Sequence, residues 1–171
     1  MNAQPYHPQF FTATIFEWKH LLKPDKYKQT IVESMKFLSN ENRVLINAFV
    51  IMNNHLHIIW QIQNGHKKQN VQRDFLKFTA QKIKEDLAKN HPMVLKYFEV
   101  NAKDRKYQFW ERNSLSVDLF SEKVFLQKLE YIHANPIKAR LCIFSNEYKY
   151  SSALFYEKGI DDFGFLVHYK S

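Results

Sequence analysis

Two histidines and a tyrosine carry the chemistry that can be read from this sequence. His55 and His57 flank Leu56 in the run Asn54-His55-Leu56-His57-Ile58-Ile59-Trp60-Gln61-Ile62. An extended chain places alternate side chains on one face, so both imidazoles project together while Leu56, Ile58, Trp60 and Ile62 face a core. Neighbouring imidazoles aimed the same way suit a single divalent cation. Two surface histidines would show the same spacing. Tyr131 lies far downstream, in a stretch where Phe125, Leu129 and Ile132 recur at helical intervals. At ~100° per residue it falls well off that apolar stripe, with Lys128 and Asn135 beside it at i−3 and i+4. A tyrosine packed on a neighbouring loop would look alike. A phenol, an ammonium and a carboxamide on one helix face gain meaning only if that face meets the histidines.

These groups must be positioned by regular elements. Phe10 to Phe16, aromatic and β-branched, reads as a first strand. Lys26 to Ser39 has Tyr27, Ile31, Val32, Met35 and Leu38 at helical spacing, with Asp25 as a cap. Ile46 to Ile62 reads as a hairpin turning at Asn53-Asn54, because asparagine tolerates left-handed conformations. A second helix is expected over Val71 to Lys89, with Leu76, Ile83, Leu87, Phe75 and Phe78 toward the core. Met93 to Val100 is ambiguous between a helical turn and a strand, and Tyr107 to Trp110 reads as a last strand. The third helix starts at Ser121 and is expected to stop near Asn135-Pro136, since the residue before proline is pushed out of helical geometry. The final ten residues carry no clear assignment.

Composition narrows the field. The chain of 171 residues has length for one domain, read as 1–171, with a substantial core. Three glycines and five prolines argue against low-complexity segments, and Cys142 alone permits neither a disulfide nor a cysteine zinc site. No apolar run approaches the ~18 residues of a membrane span, and Met1 to Phe11 lacks an export pattern. These features fit a reducing cytoplasm. The net charge of +8 favours a polyanionic partner, nucleic acid above all. Arg73 and Lys77, at i and i+4, are candidates for phosphate contacts, although basic helix residues commonly form a solvated face.

Met52-Asn53-Asn54-His55-Leu56-His57, then Tyr131-Ile132-His133-Ala134-Asn135-Pro136-Ile137-Lys138-Ala139-Arg140-Leu141, then Tyr150-Ser151-Ser152 resemble the motifs of the REP-associated tyrosine transposases. Those proteins, members of the single-tyrosine HUH superfamily, read M-P-N-H-x-H, Y-I-H-x-N-P-x-x-A-G-L and W-S-S. The resemblance runs from about Phe10 to Ser152, and three motifs in order are far more specific than one. Asn53 stands where the family has proline, Arg140 where it has glycine, and Tyr150 where it has tryptophan.

The resemblance implies an α+β, ferredoxin-like sandwich, an antiparallel sheet with helices packed on one face. It implies His55 and His57 as metal ligands, Asn135 as a third, Mg²⁺ or Mn²⁺ as cofactor, and Tyr131 as a nucleophile forming a 5′-phosphotyrosine. The substrate implied is single-stranded DNA carrying a hairpin, handled by a monomer or a homodimer, in a cytoplasmic, nucleoid-associated setting. Lys67, Lys68, Arg73, Lys77, Arg105, Arg112 and Lys128 are the candidate DNA contacts. Two other readings stand beside this one. A non-catalytic single-strand-binding module would use the same fold, and a zinc hydrolase would need a third strong ligand.

Overall fold

A computed structural model of the chain describes residues 6–171; the part of the N-terminal reading that falls on residues 1–5 lies outside them. The regular elements are β1 (Gln9–Thr14), α1 (Asp25–Asn40), β2 (Val44–Ile51), β3 (His55–Ile62), α2 (Lys68–Asn90), α3 (Pro92–Leu95), β4 (Leu115–Asp118), α4 (Glu122–Lys138) and α5 (Ala153–Lys158). The strands form one antiparallel sheet in the order β2-β3-β1-β4. The α+β class and the antiparallel sheet are as expected.

Alternation along β3 divides the core in two. Leu56, Ile58, Trp60 and Ile62 join Phe11 of β1 and the helices α1 and α2 on one face. Helix α2 contributes Val71, Phe75, Thr79, Ile83 and Leu87, each a turn apart. Burying each of these apolar side chains stabilises by about 1.5–3 kcal/mol. Thr79 is tolerated there because its Oγ1 accepts from Trp110 Nε1 at 3.1 Å and donates to the Phe75 carbonyl at 2.9 Å. Phe78, read from sequence as a core residue, is instead 41% exposed, because it sits one residue short of that stripe.

The other face carries Phe10, Ala48, Val50 and Ile59, covered by Phe125, Leu129 and Ile132 of α4. The helices expected on one face are therefore α1 and α2, while α4 crosses the opposite one. Apart from Asn47, strand β2 is apolar, because both its faces are covered along all of it but the exposed Leu45. A β-bulge between Ile46 and Ala48 shifts the register there. The bulged Asn47 is satisfied from the C-terminal region: its carbonyl accepts from Tyr156 Oη at 2.8 Å, and its Nδ2 donates to the Val167 carbonyl at 2.9 Å. The tail left unassigned thus closes onto β2, with Phe165 in the core.

Four local expectations are corrected. The fourth strand is Leu115–Asp118, whereas Tyr107 and Trp110 make only isolated bridges, to Glu99 and Ile15. Neither Asn53 nor Asn54 has a positive φ; the turn closes through Met52 N–H to the His55 carbonyl at 2.8 Å, and Asn54 uses its side chain instead. Asp25 is the first residue of α1 and makes no cap hydrogen bond; Pro24 occupies the cap position. Helix α4 runs through Pro136 to Lys138. Pro136 continues the buried stripe of Phe125, Leu129 and Ile132, and that packing offsets the backbone hydrogen bond its ring removes.

Candidate active site

β3 and α4 bring the sequence-nominated groups together. His55 and His57 lie on the α4-facing side of the sheet, their ring centroids 5.0 Å apart. The Tyr131 ring stands edge-on to His57, with centroids 5.3 Å apart. Asn135, one turn further along α4, places Nδ2 3.5 Å from His55 Nε2. Tyr131 is 44% exposed, so its phenol is open to a large substrate, whereas His57 is 5% exposed beneath it.

Each imidazole is oriented by a neighbour. His55 Nδ1 lies 2.7 Å from Asn54 Oδ1, an acceptor, so that nitrogen carries the proton and Nε2 keeps its lone pair. His57 Nδ1 lies 2.7 Å from Thr12 Oγ1. Strand register causes this, since Thr12 pairs with His57 across the β1–β3 ladder. Phe10, two residues earlier on the same face, stacks on His57 with centroids 5.1 Å apart. Burial pushes the His57 imidazole down to about 3, helped by the charges of His55 and Lys128. Burial also lowers His55. Both rings are therefore neutral near pH 7, the form that ligates metal.

The donor set fits a divalent cation. His57 Nε2 is buried with no hydrogen-bond partner, an orphan that a coordinated ion would satisfy. The pattern of Nδ1 held and Nε2 free is the usual outer-shell arrangement of ligating histidines. Among the described residues no three His, Cys, Asp or Glu side chains converge, so a third protein donor would be the Asn135 carboxamide, after a half-turn presents Oδ1. Imidazole and carboxamide donors with open positions suit Mn²⁺ or Mg²⁺ better than a closed zinc site.

Cations surround the tyrosine. Lys128 Nζ lies 4.8 Å from the Phe10 ring and 5.8 Å from the Tyr131 ring, and Lys138 Nζ is also 5.8 Å from Tyr131. Lys138 was not singled out in the sequence, although its place seven residues after Tyr131 puts it on the same helix face. The remaining basic candidates are dispersed. Lys77 and Arg105 line one cavity of ≈270 Å³ with Lys84, Lys106 and Tyr107. Lys67 and Lys68 line another, of ≈390 Å³, with Gln9 and Asp118. Arg73 is exposed and ion-paired to Asp74 at 3.1 Å, and Arg105 to Asp104 at 2.8 Å. Arg112 is exposed beyond the Trp110 bridge.

Sequence reasoning also missed the anchor of α4. His133 Nε2 lies 2.8 Å from Ser152 Oγ, which accepts from Phe49 N–H at 3.0 Å. Ser152 of the third motif thus fastens the helix bearing Tyr131 to β2, while Ser151 bridges to Val50 of that strand. Their position after Tyr150 signalled a motif, but not its partner.

The antiparallel sheet thus presents a His-x-His pair to a tyrosine on its covering helix. No family model matches the chain, and no curated protein matches it. Among solved structures, it is similar to a REP-associated tyrosine transposase bound to a REP hairpin, with a TM-score of 0.66 at 17% identity, covering 95% of this chain and 87% of that one. It is also similar to a transposase candidate from Deinococcus radiodurans R1, with a TM-score of 0.49 at 11% identity, covering 77% of this chain and 94% of that one. The fold of this chain is that of a REP-associated tyrosine transposase, the family its three motifs resemble. Among the described residues no helix is long and apolar enough to cross a membrane.

Proposed function

We propose that the protein is a metal-dependent single-strand DNA endonuclease and strand transferase acting on hairpin-bearing DNA in the cytoplasm. The observation that carries this reading is the convergence of His55, His57 and Tyr131, with ring centroids 5.0 and 5.3 Å apart, from elements 60 residues distant in sequence at their nearest. The fold neighbour solved with a REP hairpin supports the substrate class.

His55, His57 and Asn135 would hold Mg²⁺ or Mn²⁺, which supplies Lewis-acid polarisation of a phosphate and neutralises charge there. The chain's own groups do the rest. Lys128 and Lys138 draw the negatively charged strand toward the phenol and offset charge that builds on the phosphate. Tyr131 Oη attacks the phosphorus in line; the Oη–P bond forms as the bond to the 3′ oxygen breaks. The phenolic proton passes to solvent, and the leaving 3′ oxygen takes up a proton. The 5′-phosphotyrosine conserves the phosphodiester bond energy, so a 3′-hydroxyl can reverse the step and join strands. Thr12 and Asn54 hold both histidines in one orientation throughout, and the Asn54 Oδ1 acceptor fixes the His55 tautomer.

Incubation with end-labelled single-stranded DNA carrying an imperfect hairpin, with Mn²⁺ or Mg²⁺, tests the reading on a denaturing gel. Cleavage with a protein–DNA adduct is expected, lost in Tyr131→Phe and on chelation. Cleavage undiminished in His55→Ala would sink the metal role. Binding without cleavage across many hairpins would favour the non-catalytic module.

A further inference from the structure

The loop that follows β1 is strained in a way its sequence does not require. Glu17 and Trp18 are consecutive non-glycine residues with φ of 54° and 58°. A left-handed conformation is a clear outlier for a residue as bulky as tryptophan, and two in succession persist only where surrounding bonds over-determine them. Those bonds are present. Glu17 N–H donates to Glu111 Oε1 at 2.6 Å, and Trp18 N–H to the Ile15 carbonyl at 2.9 Å. Lys19 Nζ donates to the Tyr97 carbonyl at 2.6 Å and pairs with Glu17 at 3.3 Å.

The strained loop is tied to the histidines. Asn54 Nδ2 donates to the Trp18 carbonyl at 3.4 Å, and Asn54 Oδ1 holds His55 Nδ1 at 2.7 Å. A single asparagine thus joins the backbone of Trp18 to the ring of a nominated ligand. The product of the strain is an indole left 64% exposed at the end of the sheet where His55 lies, while Trp60 and Trp110 are buried at 0% and 7%. A core-packing role is excluded by that exposure, and an exposed tryptophan has nothing to gain from a strained backbone unless its placement matters.

We infer that Trp18 is a stacking platform for an unpaired nucleobase flanking the phosphate bound at His55, His57 and Tyr131; this rests on the reading of the site as a single-strand DNA site. Every base offers a π-face, so the contact needs no particular sequence, and the neighbouring cations hold the backbone while the indole holds a base. Glu111 and Asn54 are positioning residues that fix where the indole stands.

The test uses the full chain, a chelator to separate binding from cleavage, and fluorescein-labelled oligothymidylate longer than the ~4–16 nucleotides that a single-strand-binding module covers. Wild-type protein is expected to bind with quenching of its tryptophan emission. Trp18→Ala should lose the quench and bind about 5- to 140-fold more weakly, whereas Trp18→Phe keeps most of the affinity. An abasic oligomer of equal length should bind wild type and Trp18→Ala alike. Trp18→Gly, relieved of strain, should melt at a higher temperature than wild type yet bind as weakly as Trp18→Ala. Wild-type affinity in Trp18→Ala, with the oligomer still bound, overturns the platform and leaves the functional reading intact. No binding by wild type overturns both.

Discussion

Removing one hydroxyl should loosen the helix that carries Tyr131. Ser152 is fully buried, and its Oγ joins β2 to α4: it accepts from Phe49 N–H at 3.0 Å and meets His133 Nε2 at 2.8 Å. The Phe49 carbonyl is also served by Ser152 N–H at 3.0 Å, so it keeps a partner when the hydroxyl goes. Ser152→Ala therefore orphans the buried Phe49 N–H and the half-buried His133 nitrogen. At about 1–3 kcal/mol for the buried N–H and about 1 kcal/mol for the half-buried nitrogen, the loss is roughly 2–4 kcal/mol, against a typical total of about 5–15 kcal/mol. Urea unfolding followed by circular dichroism should show the midpoint falling by about 1–2 M at an unchanged slope of about 2 kcal/mol/M. A double-mutant cycle with His133→Phe should return a coupling of at least ~1 kcal/mol, because the two side chains share one contact. A cost below ~0.5 kcal/mol, or a coupling near zero, would refute the anchoring role assigned to Ser152.

Arg140 occupies the left-handed position after α4 with φ of 58°, and Leu141 N–H bonds the Pro136 carbonyl at 2.9 Å as Arg140 N–H bonds Ile137 at 2.9 Å, a Schellman closure that glycine normally completes. Arg140→Gly should stabilise by about 0.5–1 kcal/mol and raise the melting temperature by about 1–4 °C in a thermal scan. Thr12→Val leaves His57 Nδ1 without its 2.7 Å partner and should weaken Mn²⁺ binding about 10- to 100-fold by isothermal titration. Asp86 is held down to about 2 by hydrogen bonds from Lys26 and Tyr27, which fasten α1 to α2. A carboxylate whose folded value is depressed stabilises fully above its unfolded value near ~4 and loses that contribution as pH falls through the folded one. Stability measured between about pH 4 and pH 2 should fall less steeply in Asp86→Asn than in wild type.

The parts of this site that were legible in the sequence rest on local periodicity. Alternation around His55 and His57 placed both rings on one face, and helical spacing put Tyr131 off the Phe125–Ile132 stripe; both placements hold in the structure. What stayed hidden depends on long-range register. Nothing in the Phe10-Phe11-Thr12 segment announces that Thr12 will lie opposite His57, because that pairing is set across 45 residues of intervening chain. Leu115–Asp118 is exposed on alternate residues at the sheet edge and too short for a periodic signal, so the more aromatic Tyr107–Trp110 drew the strand assignment. Pro136 misled for a related reason, since a local rule about proline takes no account of the packing that its ring gains. The bulge at Asn47 was invisible because its partners, Tyr156 and Val167, come from the segment with the least local pattern.

The most direct test of the central claim is the identity of the residue joined to DNA. Adduct trapped on a cleavable hairpin substrate with Mn²⁺, digested with protease and nuclease and analysed by mass spectrometry, should carry a nucleotide phosphate on the peptide containing Tyr131. The chain has nine tyrosines, so the assignment discriminates. A phosphorylated nucleotide on another of them, or cleaved DNA with no modified peptide, would contradict it.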